Sequence, residues 1–199
     1  MRASQLRQSP YLIDYYIIIT LYILDSSMLT PKQQKWIDHL SNDDKVIIKP
    51  FDPTTGDKFE KVKNIIQTKL GKSTKVLHCG ATNMKISGQD EIDVYVPVNI
   101  NNFNNILLQL ENIFGKPKSH YPLERARFVT EIDSKHIDIF LINSKSVGWT
   151  DSLKFEQYLK SHPSSLNKYR LLKESLNGVS TREYYKNKIE FINTILEKY

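Results

Sequence analysis

The sequence predicts an α+β protein: one small mixed sheet flanked by helices, with a helical C-terminal third. Three observations lead there. Residues 91–98 (EIDVYVPV) and 136–143 (HIDIFLIN) are apolar-rich, and carboxylates interrupt them at alternate positions, over strand length. Residues 58–70 and 103–114 carry apolar side chains at the spacing of one buried helix face. Beyond Trp149 the character turns helical, and three helical stretches follow one another. Helices laid against a single sheet bury both kinds of pattern.

In chain order, residues 1–27 stand apart. An apolar run from Tyr11 to Leu24 follows Arg2 and Arg7, the charge order of a signal peptide. Asp14 interrupts the run, no small-x-small cleavage site follows, and the run is short for a membrane span. The native domain is therefore expected to start near Met28. Residues 1–27 read as an upstream extension or a weak anchor, and residues 28–199 as one domain. Thr30-Pro31 is a helix-start signal for a helix over 31–41 that sets Trp36, Ile37 and Leu40 on one face. Residues 46–51 read as a short strand, and Pro53 to Gly56 as a turn. The helix over 58–70 buries Phe59, Val62, Ile65, Ile66 and Leu70, and Gly71 ends it.

Residues 75–79 form the first central strand and run into Gly80-Ala81-Thr82; residues 91–98 form the second. An asparagine-rich stretch, 99–105, opens the helix over 103–114, with Phe103, Ile106, Leu107, Leu110 and Phe114 inward. Gly115-Lys116-Pro117 stops it. Residues 125–132 and 136–143 are the third and fourth strands, joined by a hairpin turn at Asp133-Ser134-Lys135. Helices over 154–161, 164–176 and 181–199 follow, separated by His162-Pro163 and Gly178.

Composition excludes the fibrous and disordered classes, because 40% hydrophobic and 25% charged residues are those of an ordinary globular domain. The net charge of +6 fits either a solvated lysine-rich surface or attraction to phosphate, on nucleotide or nucleic acid. No lysine or arginine block forms a tail. The one cysteine, Cys79, has no internal disulfide partner, which fits a reducing compartment such as the cytoplasm. Set in an apolar strand, it reads as a small buried hydrophobe rather than a nucleophile.

The chemistry concentrates in two places. Glu91 and Asp93 lie two apart on one strand and so share a face. Asp138 sits mid-strand among apolar residues, where a carboxylate without a partner is costly, and His136 shares its face. Two readings fit: the three acids hold a divalent cation, or Asp93 and Asp138 are ion-paired structural acids. Glu91 is either a third ligand or a solvated residue at a strand start. The Gly80-Ala81-Thr82 turn offers backbone N–H groups to a phosphate, and Arg125 and Arg127 alternate on a third strand.

These residues resemble a known family. Gly80-Ala81-Thr82 followed by Glu91-Ile92-Asp93 is similar to the glycine-serine turn and acid-x-acid strand of the nucleotidyltransferase superfamily, the polymerase-beta-like fold. Four further segments narrow the resemblance to the GrpB family: Pro50-Phe51-Asp52, His78-Cys79-Gly80-Ala81-Thr82, His136-Ile137-Asp138, and residues 155–163. The stretch from Tyr169 to Lys173 and the segment around Lys188 match as well. The resemblance spans about residues 44–199.

The resemblance implies a nucleotidyltransferase-type sheet and a nucleotidyl transfer from a nucleoside triphosphate, with magnesium, or manganese in its place. Asp93 and Asp138 would be catalytic, and Glu91, Asp93 and Asp138 the metal ligands. Phosphate or nucleotide contacts would come from Gly80, Ala81, Thr82, Arg125, Arg127, His136, Lys173 and Lys188. In some bacteria the domain is fused to dephospho-coenzyme A kinase, which points to nucleotide or coenzyme chemistry. The chain departs from the family where Ala81 replaces the serine of the turn, Asp138 replaces the second histidine, and Glu91 adds a carboxylate. Ala81 favours the alternative of a non-catalytic module binding a nucleotide, a coenzyme A-like ligand or RNA.

Overall fold

The structure is a computed structural model that describes residues 29–199; the extension expected over 1–27 lies outside the described residues. Helix α1 (Pro31–Asp38) begins with a capping box. The Thr30 hydroxyl accepts the Gln33 N–H, the Gln33 side chain accepts the Thr30 N–H, and Pro31 follows in the first turn. Next come α2 (Thr55–Leu70), β1 (Leu77–Cys79), the one-turn helix α3 (Gly80–Asn83), β2 (Glu91–Val98) and α4 (Phe103–Phe114). Strands β3 (Ser119–Tyr121), β4 (Arg125–Ile132) and β5 (Lys135–Asn143) follow, then α5 (Val147–Ser161), α6 (Pro163–Ser175) and α7 (Thr181–Leu196). The fold is α+β, as the patterning predicts.

The five strands form one mixed sheet in the order β1-β2-β5-β4-β3. Only β2 and β5 run parallel. A parallel pair needs a long crossover, and α4 with the β3–β4 hairpin supplies it. Alternation then sorts the two faces. Ile92, Val94, Val96, Phe128, Ile137, Ile139 and Leu141 are fully buried on one face, against Phe59, Val62 and Ile66 of α2 and Phe103 and Leu110 of α4. The other face carries the carboxylates and arginines, and α5, α6 and α7 roof part of it. Those helices have their own apolar seam, including Phe155, Leu159, Tyr169 and Ile195.

Several boundaries differ from the sequence expectation. Residues 46–51 are not a strand; they form an extended strap with isolated bridges at Lys45–Ser180 and Lys49–Gly88. Val46 exchanges backbone bonds with Val179 and Gly178, and Lys49 with Gly88, so no single neighbour runs alongside for a ladder. Helix α2 starts at Thr55, inside the expected turn, and just ahead of it Asp52 accepts from the Thr54 N–H and hydroxyl. Strand β3 is additional: short, polar and on the sheet edge, it has no apolar alternation to show.

Lys135 belongs to β5 rather than to the turn. The tight turn is Asp133-Ser134, both with positive φ (49° and 59°). Helix α5 begins at Val147, so Trp149 is a helical core residue stacked on Tyr95. The other ends shift by a few residues, as for α1, which stops at Asp38, and α7, which stops at Leu196. Among the described residues no helix is long and apolar enough to cross a membrane.

Candidate functional site

Register brings the polar face together in rows. One row runs Cys79–Asp93–Asp138–Val129 across β1, β2, β5 and β4. The row before it holds Glu91, His136 and Glu131. The row after it runs Tyr95–Phe140–Arg127–Ser119, and the last places Tyr121 beside Arg125. The sheet face thus grades from acids and a histidine at one end to arginines and aromatic rings at the other. All of these residues but Val129, Glu131 and His136 line a cleft of about 790 Å³ whose other walls include Gly80, Thr82, Gly88, Tyr169, Lys173, Tyr185 and Lys188.

At the acidic end, one ligand atom each from Glu91, His136 and Asp138 lies within 4.8 Å of the others. Asp138 is only 4% exposed. Its Oδ1 accepts from the Arg127 guanidinium at 2.9 Å and lies 3.0 Å from His136 Nε2. That contact holds Arg127 above its ordinary value although burial opposes it.

Asp93 is the register neighbour of Asp138 but stands outside this close trio and faces Gly80. Burial, and after it the Glu91 carboxylate, push Asp93 up to about 7. Lys173 and Lys188 come down from α6 and α7 over the same region. Both lie over aromatic rings, Lys173 over Tyr169 at 5.6 Å and Lys188 over Tyr185 at 5.2 Å. Neither has a carboxylate within 4.0 Å among the described residues. Lys173 is 5% exposed, and burial, followed by Lys188, brings its ammonium down to about 7.

The structure therefore gathers Gly80, Ala81, Thr82, Glu91, Asp93, Asp138, Arg127, Lys173 and Lys188 around one cleft. His136 joins through the trio, and Arg125 lines the far end. The glycine turn differs from the sequence expectation in one respect. The Gly80 N–H already donates to Glu156 Oε1 at 2.5 Å, and Asn83 Nδ2 donates to Oε2 at 3.2 Å. Sequence reasoning missed Glu156, which looks like any charged residue of an amphipathic helix. Thr82 is also engaged, within 2.9 Å of His78 Nε2. Cys79 is buried, and burial raises its thiol well above the usual range, which makes it a packing residue.

A second cluster flanks the acidic end. Lys135, buried, is held by Asp52 at 2.9 Å and by Asp90, which also takes Lys49 at 2.9 Å. Asp90 precedes Glu91 and Lys135 precedes His136, so this cluster ties down the backbone on both sides of the trio. Each partner lies far away in sequence, which is why spacing did not reveal it.

Fold and site together define an α+β protein with an acid-floored, partly lysine-roofed cleft. Residues 45–198 match the family described as GrpB protein, and the chain belongs to the GrpB family. The crystal structure of the conserved protein GrpB from Enterococcus faecalis is similar at a TM-score of 0.60 and 20% identity. The match covers 76% of this chain and 96% of that one, and shows a shared fold. A structure of Leishmania infantum polymerase beta, a ternary gap complex, gives a TM-score of 0.37 at 14% identity over 84% of this chain and 72% of that one. That likeness carries no argument of its own. No curated protein matches the chain.

Proposed function

We propose that this protein is a cation-dependent nucleotidyltransferase that moves a nucleotidyl group from a nucleoside triphosphate to a hydroxyl of an acceptor. The observation that supports this reading is the convergence of Glu91, His136 and Asp138 next to a cleft that Glu91, Asp93, Asp138, Lys173 and Lys188 line. Two carboxylates suit magnesium, and the imidazole beside them suits manganese equally well. Glu91, His136 and Asp138 would hold the cation. When bound, it supplies charge neutralisation and polarisation of a phosphoryl oxygen.

The chain's own groups do the rest. Lys173 and Lys188 bind triphosphate oxygens, and Arg127 keeps the Asp138 carboxylate in place. In the transfer, the acceptor oxygen bonds to the α-phosphorus while that phosphorus releases its bridging oxygen. Pyrophosphate leaves, and the acceptor proton passes to a carboxylate. Asp93 suits that role better than Asp138. Asp93 has no cationic group within 4.0 Å among the described residues, whereas the Asp138 oxygen already faces two nitrogen groups.

The test is a calorimetric titration with α,β-methylene ATP, with and without manganese. Wild type should bind in a manganese-dependent way, and Glu91→Gln and Asp138→Asn should lose that dependence. Wild type that fails to bind at millimolar nucleotide would end this reading. A second reading is favoured by Glu156 sitting on the Gly80 N–H and by Ala81 in the turn. The cleft would then hold a nucleotide, a coenzyme A-like ligand or RNA without turnover. Saturable binding indifferent to manganese, with no pyrophosphate released from ATP, selects it.

A further inference from the structure

The basic, aromatic end of the cleft is left unused by a cation and a triphosphate tail. Of the cations that line the cleft, Lys49 is paired with Asp90 and Arg127 with Asp138. Lys173 and Lys188 belong to the triphosphate. Arg125 remains: half-buried, with no carboxylate within 4.0 Å among the described residues, its guanidinium 5.1 Å from the centre of the Tyr121 ring. Between Arg125 and the acids the floor is aromatic, with Phe140 stacked on Tyr95 at 4.7 Å.

The hairpin that presents Tyr121 and Arg125 is built rigidly. Glu124 N–H bonds back to the Tyr121 carbonyl, and Asn143 holds the tip through the Leu123 and Glu124 carbonyls. Leu123 at that tip has φ of 60°, a left-handed conformation that costs a leucine energy and that glycine would adopt freely. Along β5, the register partner of Arg125 lies four residues beyond Asp138, about 13 Å at the rise of a strand. A rigid ring, an unpaired guanidinium and an aromatic floor at that distance make a second binding place.

We propose that this end is the acceptor subsite, and that the acceptor is itself of the nucleotide class. Its planar ring would stack at Tyr121, and its phosphate would meet Arg125. The proposal rests on the nucleotidyl-transfer reading and names the acceptor that reading leaves open. A cleft of about 790 Å³ lies high in the range of small-molecule sites, which leaves space for a second small ligand.

The experiment titrates AMP into the full chain, alone and with α,β-methylene ATP plus manganese already saturating. AMP should bind in both cases. Tyr121→Ala and Arg125→Gln should each weaken AMP about tenfold while changing the triphosphate analogue less than about twofold. Unchanged melting temperatures show that both variants fold. Arg125→Lys should recover part of the AMP affinity, because it restores charge but not the planar stack.

The proposal is overturned if wild type binds no AMP or if the variants bind AMP normally. It is also overturned if they lose the triphosphate analogue equally, which would make this end the donor-base pocket. A wild type that binds AMP through Tyr121 and Arg125 but ignores the analogue would instead sink the nucleotidyl-transfer reading while keeping the subsite.

Discussion

Gly80→Ala tests the junction on which the site is built. Gly80 has φ of +76°, in the left-handed region, where an alanine costs about 1–2 kcal/mol. A methyl group added there would also overlap Asp93 Oδ2 outright and come to 3.0 Å of its Cγ. Forcing atoms into such a contact costs about 1–3 kcal/mol more. Gly178 is the natural control, with φ of +85° and nothing within 4 Å of an added methyl group, so Gly178→Ala should show the backbone cost alone. Gly80→Ala should therefore be worse than Gly178→Ala by about 1–3 kcal/mol, or several degrees of melting temperature.

The assay is urea unfolding followed by tryptophan fluorescence. Trp149, buried against Tyr95, reports loss of the core beside the site. A double-mutant cycle closes the argument. Asp93→Ala removes the colliding carboxylate and leaves only its Cβ at 3.4 Å, an ordinary contact. In that background Gly80→Ala should cost no more than Gly178→Ala. If Gly80→Ala matches Gly178→Ala in wild type, or if Asp93→Ala brings no relief, Asp93 does not lie against the turn.

Two further outcomes follow from the buried lysines. Lys135→Met takes the shared partner from Asp52 and Asp90, leaving Asp52 with Lys58 and Asp90 with Lys49, and should cost about 1–3 kcal/mol at pH 7. The Thr54 hydroxyl, then Lys135, holds Asp52 well below the usual carboxylate range, while Lys135 and Lys49 hold Asp90 below it against the effect of burial. That stability is present above about pH 4 and lost as pH falls through the folded values, so urea melts at pH 3 should show a smaller gap between the two proteins. Lys173 has the opposite sense. Its folded value of about 7 lies below the unfolded value, so between pH 7 and about 9.5 the unfolded chain holds a proton the folded chain lacks. Wild type should gain stability over Lys173→Met across that window, and parallel pH curves would show that Lys173 is not desolvated.

The fold was legible wherever one element carried its own pattern. Helices α2 and α4 and strands β2 and β5 announce themselves because each buries one face, and burial forces a period. The strap at 46–51 has the same apolar look, but its partners at Gly88 and Val179 lie far along the chain and form no ladder. Lys135 looks like a turn residue until Asp52 and Asp90 arrive beside it from elsewhere. The site divides in the same way. Spacing along single strands was enough to nominate Glu91, Asp93 and Asp138. Only cross-strand register shows His136 drawing close to Glu91 and Asp138 while Asp93 stands apart. Glu156 showed only as part of the matching stretch 155–163 and not as a site residue, because a carboxylate that reaches a turn 76 residues away is, in sequence, one more solvated helix position.

What argues most for a ligand is a pairing the chain does not make. Asp93 is desolvated enough to hold its proton to about pH 7, and Lys173 enough to give one up near the same pH. The two feel each other's field, yet no ion pair within 4.0 Å joins them. A core shaped by stability alone would bring such charges together or replace them with apolar side chains. Here the carboxylate lies on the sheet floor and the ammonium on a helix above it. Neutral pH is therefore the condition at which both groups contribute least to stability. A ligand that brings a cation beside the acids and phosphate oxygens beside Lys173 eases the cost of both. Binding it would stabilise the fold, as expected of a site held ready for a charge-bearing partner.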